Sequence, residues 1–452
     1  MPTVPRSPDS TLSEAIAASA HILTGSADDY DVLLDLIGDA RFVLLGEASH
    51  GTHEFYRERA CITQRLIVEK GFTGVAVEAD WPDAYRVNRY VRAQSDDVTS
   101  EQALSGFKRF PTWMWRNTDV VSFLDWLRSY NDSLSSNATS VGFYGLDLYS
   151  LFTSIDEILH YLDKVDPEAA RHARTRYACF DHFNVDSQIY GYKTGLGLSA
   201  SCESAVVAQL RDLVARSADY GIREGQNAAD LLFHIEQNAR LVVNAEQYYR
   251  TMFSGRVSSW NLRDRHMADT LDALAQHLSR AIGKPAKIVV WEHNSHIGDA
   301  RATESGREGE LNVGQLVRER YGSEAYLVGL TTYRGTVTAA SDWKAPAERK
   351  RVRPAQDDSY EALFHRTGIS RFMLPLREKN AVTQGLSDHR LERAIGVVYL
   401  PESERRSHYF YADLPQQFDA ILHIDETRAV EPLERTSRWE SGEAPETFPI
   451  GL

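Results

Sequence analysis

The stretch from Arg41 to Asp80, RFVLLGEASHGTHEFYRERACITQRLIVEKGFTGVAVEAD, decides the fold. Phe42 to Leu45 is an apolar run too short for a helix and branched enough for a buried strand. Gly46-Glu47-Ala48-Ser49-His50-Gly51 breaks it. Phe55, Ala60, Ile62, Leu66 and Ile67 then recur at helical spacing until Gly71. A second apolar run, Gly74 to Val77, ends on Glu78. Strand, polar turn, helix, strand is a βαβ unit with parallel strands. Glu47, Ser49 and His50 then lie just past one strand end, and Glu78 and Asp80 just past the next. In open parallel sheets that rim is where ligands bind.

The same signature recurs downstream. Val141 to Asp147 reads as a third core strand ending on an acid, and Lys287 to Trp291 as a fourth, followed by Glu292, His293, Asn294, Ser295 and His296. Further strand candidates are Ala325 to Thr331, Val337 to Ala340, Phe372 to Leu374, Ile395 to Leu400 and Ala420 to His423. Helical spacing dominates between them, with Gly191 to Gly197 expected as a flexible joint. The expected fold class is α/β, a mixed, largely parallel central sheet with helices on both faces. Residues 13–94 and 285–430 would form the core, with a core strand near 141–147. Residues 95–284 would be a mostly helical insertion, a lid over the strand-end cleft. Residues 1–12 and 431–452 read as a frayed tail and an irregular one.

Composition narrows the class. Lys and Arg total 50 against 64 Asp and Glu, a net charge of −14, which argues against a general nucleic-acid or anionic-membrane binder. The cluster Arg349-Lys350-Arg351-Val352-Arg353 runs against that trend and reads as a solvated loop. No apolar run reaches the ~18 residues a membrane helix needs. Cys61, Cys179 and Cys202 are few and odd in number, so a disulfide framework is not expected, and a reducing cytoplasm fits best. No Cys-x-x-Cys pair exists, which excludes a thiolate zinc site.

If the four strands are parallel neighbours, their polar ends converge as an active site requires. His50 is the first choice for a general base, since the positive end of the following helix keeps an imidazole neutral. Glu78 and Glu47 close buried strands and need partners there. Either could orient His50, bind a substrate hydroxyl or hold a metal. His293 and His296, three apart, could be metal ligands, oxyanion donors, or one functional and one structural ring. Spacing leaves open whether Arg57 or Arg59 points inward. Ser49 lacks the spacing of a nucleophile elbow and reads as a helix-capping hydroxyl. His53, His182 and His266 read as surface or core residues.

GEASHGTHEFYRER (46–59), VAVEAD (75–80), SWNLRDRHMADTL (259–271) and VVWEHNSHIGDA (289–300) together resemble the erythromycin esterase family, over about residues 30 to 425. The resemblance implies a metal-independent hydrolase, without cofactor, that opens macrolactone esters by activating water. Its essential residues fall on Glu47, His50, Arg59, Glu78 and His293, with His296 close by. Asp147, Arg263 and His296 are the expected substrate contacts. The expected partner is a small ester or lactone, with no nucleic acid and no membrane, for a monomer or homodimer. Two other readings stand beside it: a metal-dependent hydrolase using the same histidines and carboxylates, and a non-catalytic binder of a bulky ligand.

Overall fold

Every residue of Phe42–Leu45 is buried, and every one of Ile288–Trp291. Such continuous apolar strands belong in the middle of a sheet covered on both faces. Alternation then sorts side chains to the two faces. Phe42, Leu44, Ala76, Ile288 and Val290 enter one hydrophobic core. Val43, Leu45, Val75, Val77, Val289 and Trp291 enter the other.

The computed structural model describes residues 8–135, 138–183, 186–224, 228–253 and 255–442. Its strands are β1 (His21–Ile22), β2 (Phe42–Leu45), β3 (Gly74–Asp80), β4 (Gly142–Asp147), β5 (Ile288–Trp291), β6 (Ala325–Ala339), β7 (Glu348–Val352), β8 (Arg371–Pro375), β9 (Arg390–Arg393), β10 (Tyr409–Ala412) and β11 (Ala420–Thr427). The main sheet runs β1-β8-β11-β6-β2-β5-β3-β4, with β7 on the far end of β6, and β9 and β10 form a separate ribbon. From β11 to β4 every neighbouring pair is parallel. β1, β7 and β8 join antiparallel. The fold is therefore a mixed, largely parallel α/β sheet flanked by helices.

β2 and β3 are parallel but not adjacent. β5, more than two hundred residues downstream, lies between them. The helix His53–Lys70 joins the two. It buries Phe55, Arg59, Ile62 and Leu66 along one stripe and stops at Gly71, whose φ of 70° is the left-handed ending that glycine adopts without strain. Residues 95–284 supply β4 and the helix Thr118–Ser133, whose Val120, Phe123, Leu124 and Leu127 pack into the second core. They also supply the helices Leu151–Val165, Ala228–Thr251 and Arg256–Ile282, which pack with the first core.

Several expectations are corrected. The first helix starts at Pro8, inside the expected tail, and residues 1–7 lie outside the described residues. Gly191 to Gly197 is not a joint: Ser187–Gly195 is a helix capped by the Asp186 carboxylate. Ala325 to Thr331 and Val337 to Ala340 are one long strand, β6. Ile395 to Leu400 is no strand, but a segment bridged to Ser49 and Ala340. The basic cluster is β7, not a loop, and Lys350 is buried with its Nζ donating to Ser341 at 2.7 Å. The C-terminal segment is ordered up to residue 442, with Trp439 buried and its Nε1 donating to Thr338 at 2.7 Å. Residues 443–452 lie outside the described residues.

Cys179 and Cys202 are paired in a disulfide, with Cα atoms 5.9 Å apart, while Cys61 is free. Spacing of 23 residues carried no sign of this, because the fold alone brings the two together. The pair removes the cysteine-based ground for a reducing compartment. Among the described residues no helix is long and apolar enough to cross a membrane.

Candidate active site at the strand ends

The order β2-β5-β3-β4 sets four strand ends side by side. They carry Glu47 and His50, His293 and His296, Glu78 and Asp80, and Asp147. His50, Glu78, Asp147, Arg263, His293 and His296 line one cavity of about 510 Å³. Glu47 and Arg59 stand behind His50 and do not line it.

The loop after β2 is held by backbone bonds on all sides. Gly46 N–H donates to Val328 O, His50 N–H to Ile395 O, Ile395 N–H to Ala48 O and Asn294 N–H to Glu47 O, each within 3.0 Å. Thr338 and Val430 N–H both donate to Gly51 O. Gly46 leaves room for the buried Asn294 amide: a Cβ there would meet Asn294 Oδ1 at 2.1 Å. Ser49 is buried with its hydroxyl 2.5 Å from that of Thr52, and it caps no helix.

Glu47 Oε1 lies 2.8 Å from His50 Nδ1. Its other oxygen lies 2.8 Å from Arg59 Nη2. Arg59, 1 % exposed, sits against the rings of Tyr56 and Trp291, 4.6 and 5.2 Å from their centroids. Arg59 thus pairs with Glu47 and does not line the cavity. A carboxylate on Nδ1 draws the His50 proton to that nitrogen and leaves Nε2 as the basic one.

The His293 ring is 4.7 Å from the His50 ring, centroid to centroid. Its Nδ1 accepts from Ser295 N–H at 3.3 Å and lies 2.8 Å from Ser295 Oγ. Burial, and then His50, push the ring well below the usual imidazole range, so it is neutral with its proton on Nε2. That nitrogen makes no well-formed hydrogen bond among the described residues, and its nearest backbone neighbour is Ala48.

Glu78 accepts from the His293 backbone N–H at 3.0 Å and from Arg263 Nη2 at 2.7 Å. Burial alone would raise its carboxyl, but His296, Arg263 and His50 hold it well below the ordinary carboxylate range. Arg263 also meets both oxygens of Asp147, at 2.9 and 2.8 Å. His296 Nδ1 lies 2.8 Å from Asp264 Oδ1, and its ring stacks on Trp260 at 4.5 Å. Against the burial, Asp264 and Glu78 raise this ring to about 9. Arg263 Nη1 donates to Nε2 of the neutral ring at 3.0 Å, and on protonation Nε2–H faces Glu78 at 3.5 Å.

Among the described residues no group of three or more His, Cys, Asp or Glu side chains is arranged to hold a metal. The guanidinium of Arg263 occupies the position between Glu78 and Asp147 that a cation would take.

Trp260 and Asp264, which hold His296, escaped the list of candidates drawn from the residues. The signal was present: Trp260, Arg263 and Asp264 follow at i, i+3 and i+4 on one helix, and so share a face. Arg109 and Tyr149 carried no such sign.

A carboxylate-held imidazole beside a second buried histidine, on the strand-end rim of an α/β sheet, is the arrangement of an active site. The family model for erythromycin esterase matches residues 67–427. The chain is 25% identical over 329 residues to erythromycin esterase type II of Escherichia coli, covering 69% of this chain and 74% of that one. A crystal structure of a succinoglycan biosynthesis protein superposes with a TM-score of 0.76 at 21% identity, over 95% of this chain and 100% of that one. An erythromycin esterase mutant in its open conformation superposes at 0.65 with 17% identity, over 91% and 96%. The chain belongs to the erythromycin esterase family, and it is a hydrolase of the esterase class.

Proposed function

We propose that this chain hydrolyses a carboxylic ester or macrolactone of the macrolide kind by general-base activation of water, without a metal. His50 Nε2 takes a proton from water as the oxygen attacks the ester carbonyl. Glu47, itself fixed by Arg59, steadies the imidazolium that forms. The oxyanion accepts from His293 Nε2–H. The proton on His50 then passes to the departing alkoxide, which in a lactone leaves a hydroxy acid. Helices within residues 95–284 cover the cleft and bring Arg263 to the substrate, beside Asp147 and His296.

The single observation that carries this reading is the 2.8 Å contact between Glu47 and His50, with the ring lining the cavity next to His293. A positioned base contributes typically ~10²–10⁴-fold. His50→Ala should therefore lose turnover of macrolides and simple lactones by about that factor, read by mass spectrometry as addition of one water. Ser49→Ala should keep most of it. A dead Ser49→Ala with a trapped acyl-enzyme would replace this mechanism by a covalent one. Stoichiometric zinc with chelator-sensitive turnover would replace it by a metal-assisted one.

A further inference from the structure

His50 has a bare wall on one side. The chain from Ala394 to Tyr399 runs past the loop that carries the ring, and backbone bonds clamp it there. Ile395 N–H donates to Ala48 O at 2.8 Å, and Ile395 O accepts from His50 N–H at 3.0 Å. Farther along, Val397 O accepts from Ala340 N–H at 2.9 Å and Tyr399 N–H donates to Ala340 O at 3.0 Å, just past the end of β6. Around its bridge to Ser49 the segment alternates as a strand does. Ile395 is fully buried and packs with Val337, Ala339, Val352 and Tyr399. Ala394 and Gly396, on either side of it, line the cavity together with His50. A Cβ on Gly396 would meet no atom within 4 Å. The absent side chain of Gly46 is space that Asn294 fills, whereas that of Gly396 is left to the cavity. Its surroundings are apolar. Val397 follows in the chain, and Ala394 N–H donates at 2.8 Å to the carbonyl of His408, which precedes Tyr409 and Phe410. All three of Val397, Tyr409 and Phe410 line the cavity.

We infer that Ala394 and Gly396 are specificity-determining residues: by withholding side chains beside His50 they admit a bulky apolar substituent, branched or ring-bearing, next to the ester carbonyl. The inference rests on the hydrolase reading and deepens it. A side chain grown from residue 396 enters the space that the substituent takes, and the clamped backbone leaves it no way to withdraw.

The test grows that side chain. Gly396→Ala, Gly396→Leu and Ala394→Leu are compared with the wild type on two pairs of esters. One is 4-nitrophenyl acetate with 4-nitrophenyl cyclohexanecarboxylate, the other ethyl acetate with cyclohexyl acetate, so that bulk is added on either side of the carbonyl. A single methylene of misfit in an apolar pocket is worth roughly 10–200-fold, so in at least one pair the kcat/KM ratio, bulky over slim, should fall about ten-fold or more in both leucine variants. Gly396→Ala should show a smaller fall. Both esters of a pair are read on one preparation, so loss of folded protein cancels from the ratio. If the leucine variants do not fold, Gly396→Ala, whose added methyl meets nothing, carries the ratio. Ratios unmoved in both pairs overturn the inference. Should the wild type hydrolyse none of these esters, the hydrolase reading fails, and equilibrium dialysis of N-cyclohexylcyclohexanecarboxamide decides instead. Weaker binding to Gly396→Leu than to the wild type supports the assignment, and equal binding overturns it.

Discussion

Arg59 carries its charge where there is no water. It is buried between Tyr56 and Trp291, and Glu47 is its ion-pair partner. Removing one partner of such a pair leaves the other as an uncompensated buried charge, at a cost of roughly 3–5 kcal/mol. Arg59→Met should therefore lower the unfolding free energy in a urea titration by about that much. Turnover should fall as well, because Glu47 would lose the contact that fixes it against His50. Unchanged stability with reduced turnover would instead put Arg59 in contact with substrate. Gly46 makes a separate prediction. Its missing side chain is the space that Asn294 fills, and Asn294 is fixed by bonds to both backbone groups of Leu330. Gly46→Ala is overpacking next to the base, and should cost ~1–3 kcal/mol in the same titration. At this scale the sequence was partly legible. Spacing left open whether Arg57 or Arg59 points inward, and it could not say whether an inward arginine meets substrate or a buried acid; the folded helix buries Arg59 beside Phe55, Ile62 and Leu66.

Elements were legible where their pattern was strong and continuous. β2, β3, β4 and β5 were read within a few residues, because each buried run ends abruptly on polar groups. Their adjacency was not in any local pattern, since it depends on β5 entering between β2 and β3. Short edge elements escaped for the opposite reason. β7 reads as a charged loop because Arg349 and Arg351 emerge along an edge strand while only Lys350 between them turns inward, and β9 and β10 pair with each other away from the main sheet. The helix Ser437–Ser441 was hidden in a stretch of charged residues, yet Trp439 is buried at β6 and β7 between Thr338 and Arg349. Trp439→Ala should cost about 3 kcal/mol, at the low end for a tryptophan near the surface. A calorimetric Tm equal to wild type would show that this segment does not hold the sheet edge.

The whole molecule carries histidines tuned in both directions, and this sets its response to pH. His296 is raised to about 9 from an ordinary 6.5. Its contribution to stability is fully present below about 6.5 and is lost as pH rises through 9. Burial pushes His266 down to about 4 and His293 down as well. Their contribution is present above about 6.5 and is lost as pH falls, through about 4 for His266. Tm should therefore peak near neutrality and decline on both sides. His296→Gln should flatten the decline between pH 7 and 9 while leaving the acid side in place. An alkaline limb that the variant does not change would mean that the folded ring is neutral.

The late entry of β5 between β2 and β3 also bears on the chain while it is being made. Until residue 291 emerges from the ribosome, two apolar strands stand on either side of a vacant slot, with unpaired N–H and C=O groups facing it. At ~5–20 residues per second, the interval between the third strand and the one that fills the slot is roughly 10–40 s. For that time the nascent chain offers two bare edges to any other extended peptide. Newly synthesised molecules should be the form that needs a chaperone, whereas the finished enzyme offers no such opening at its centre.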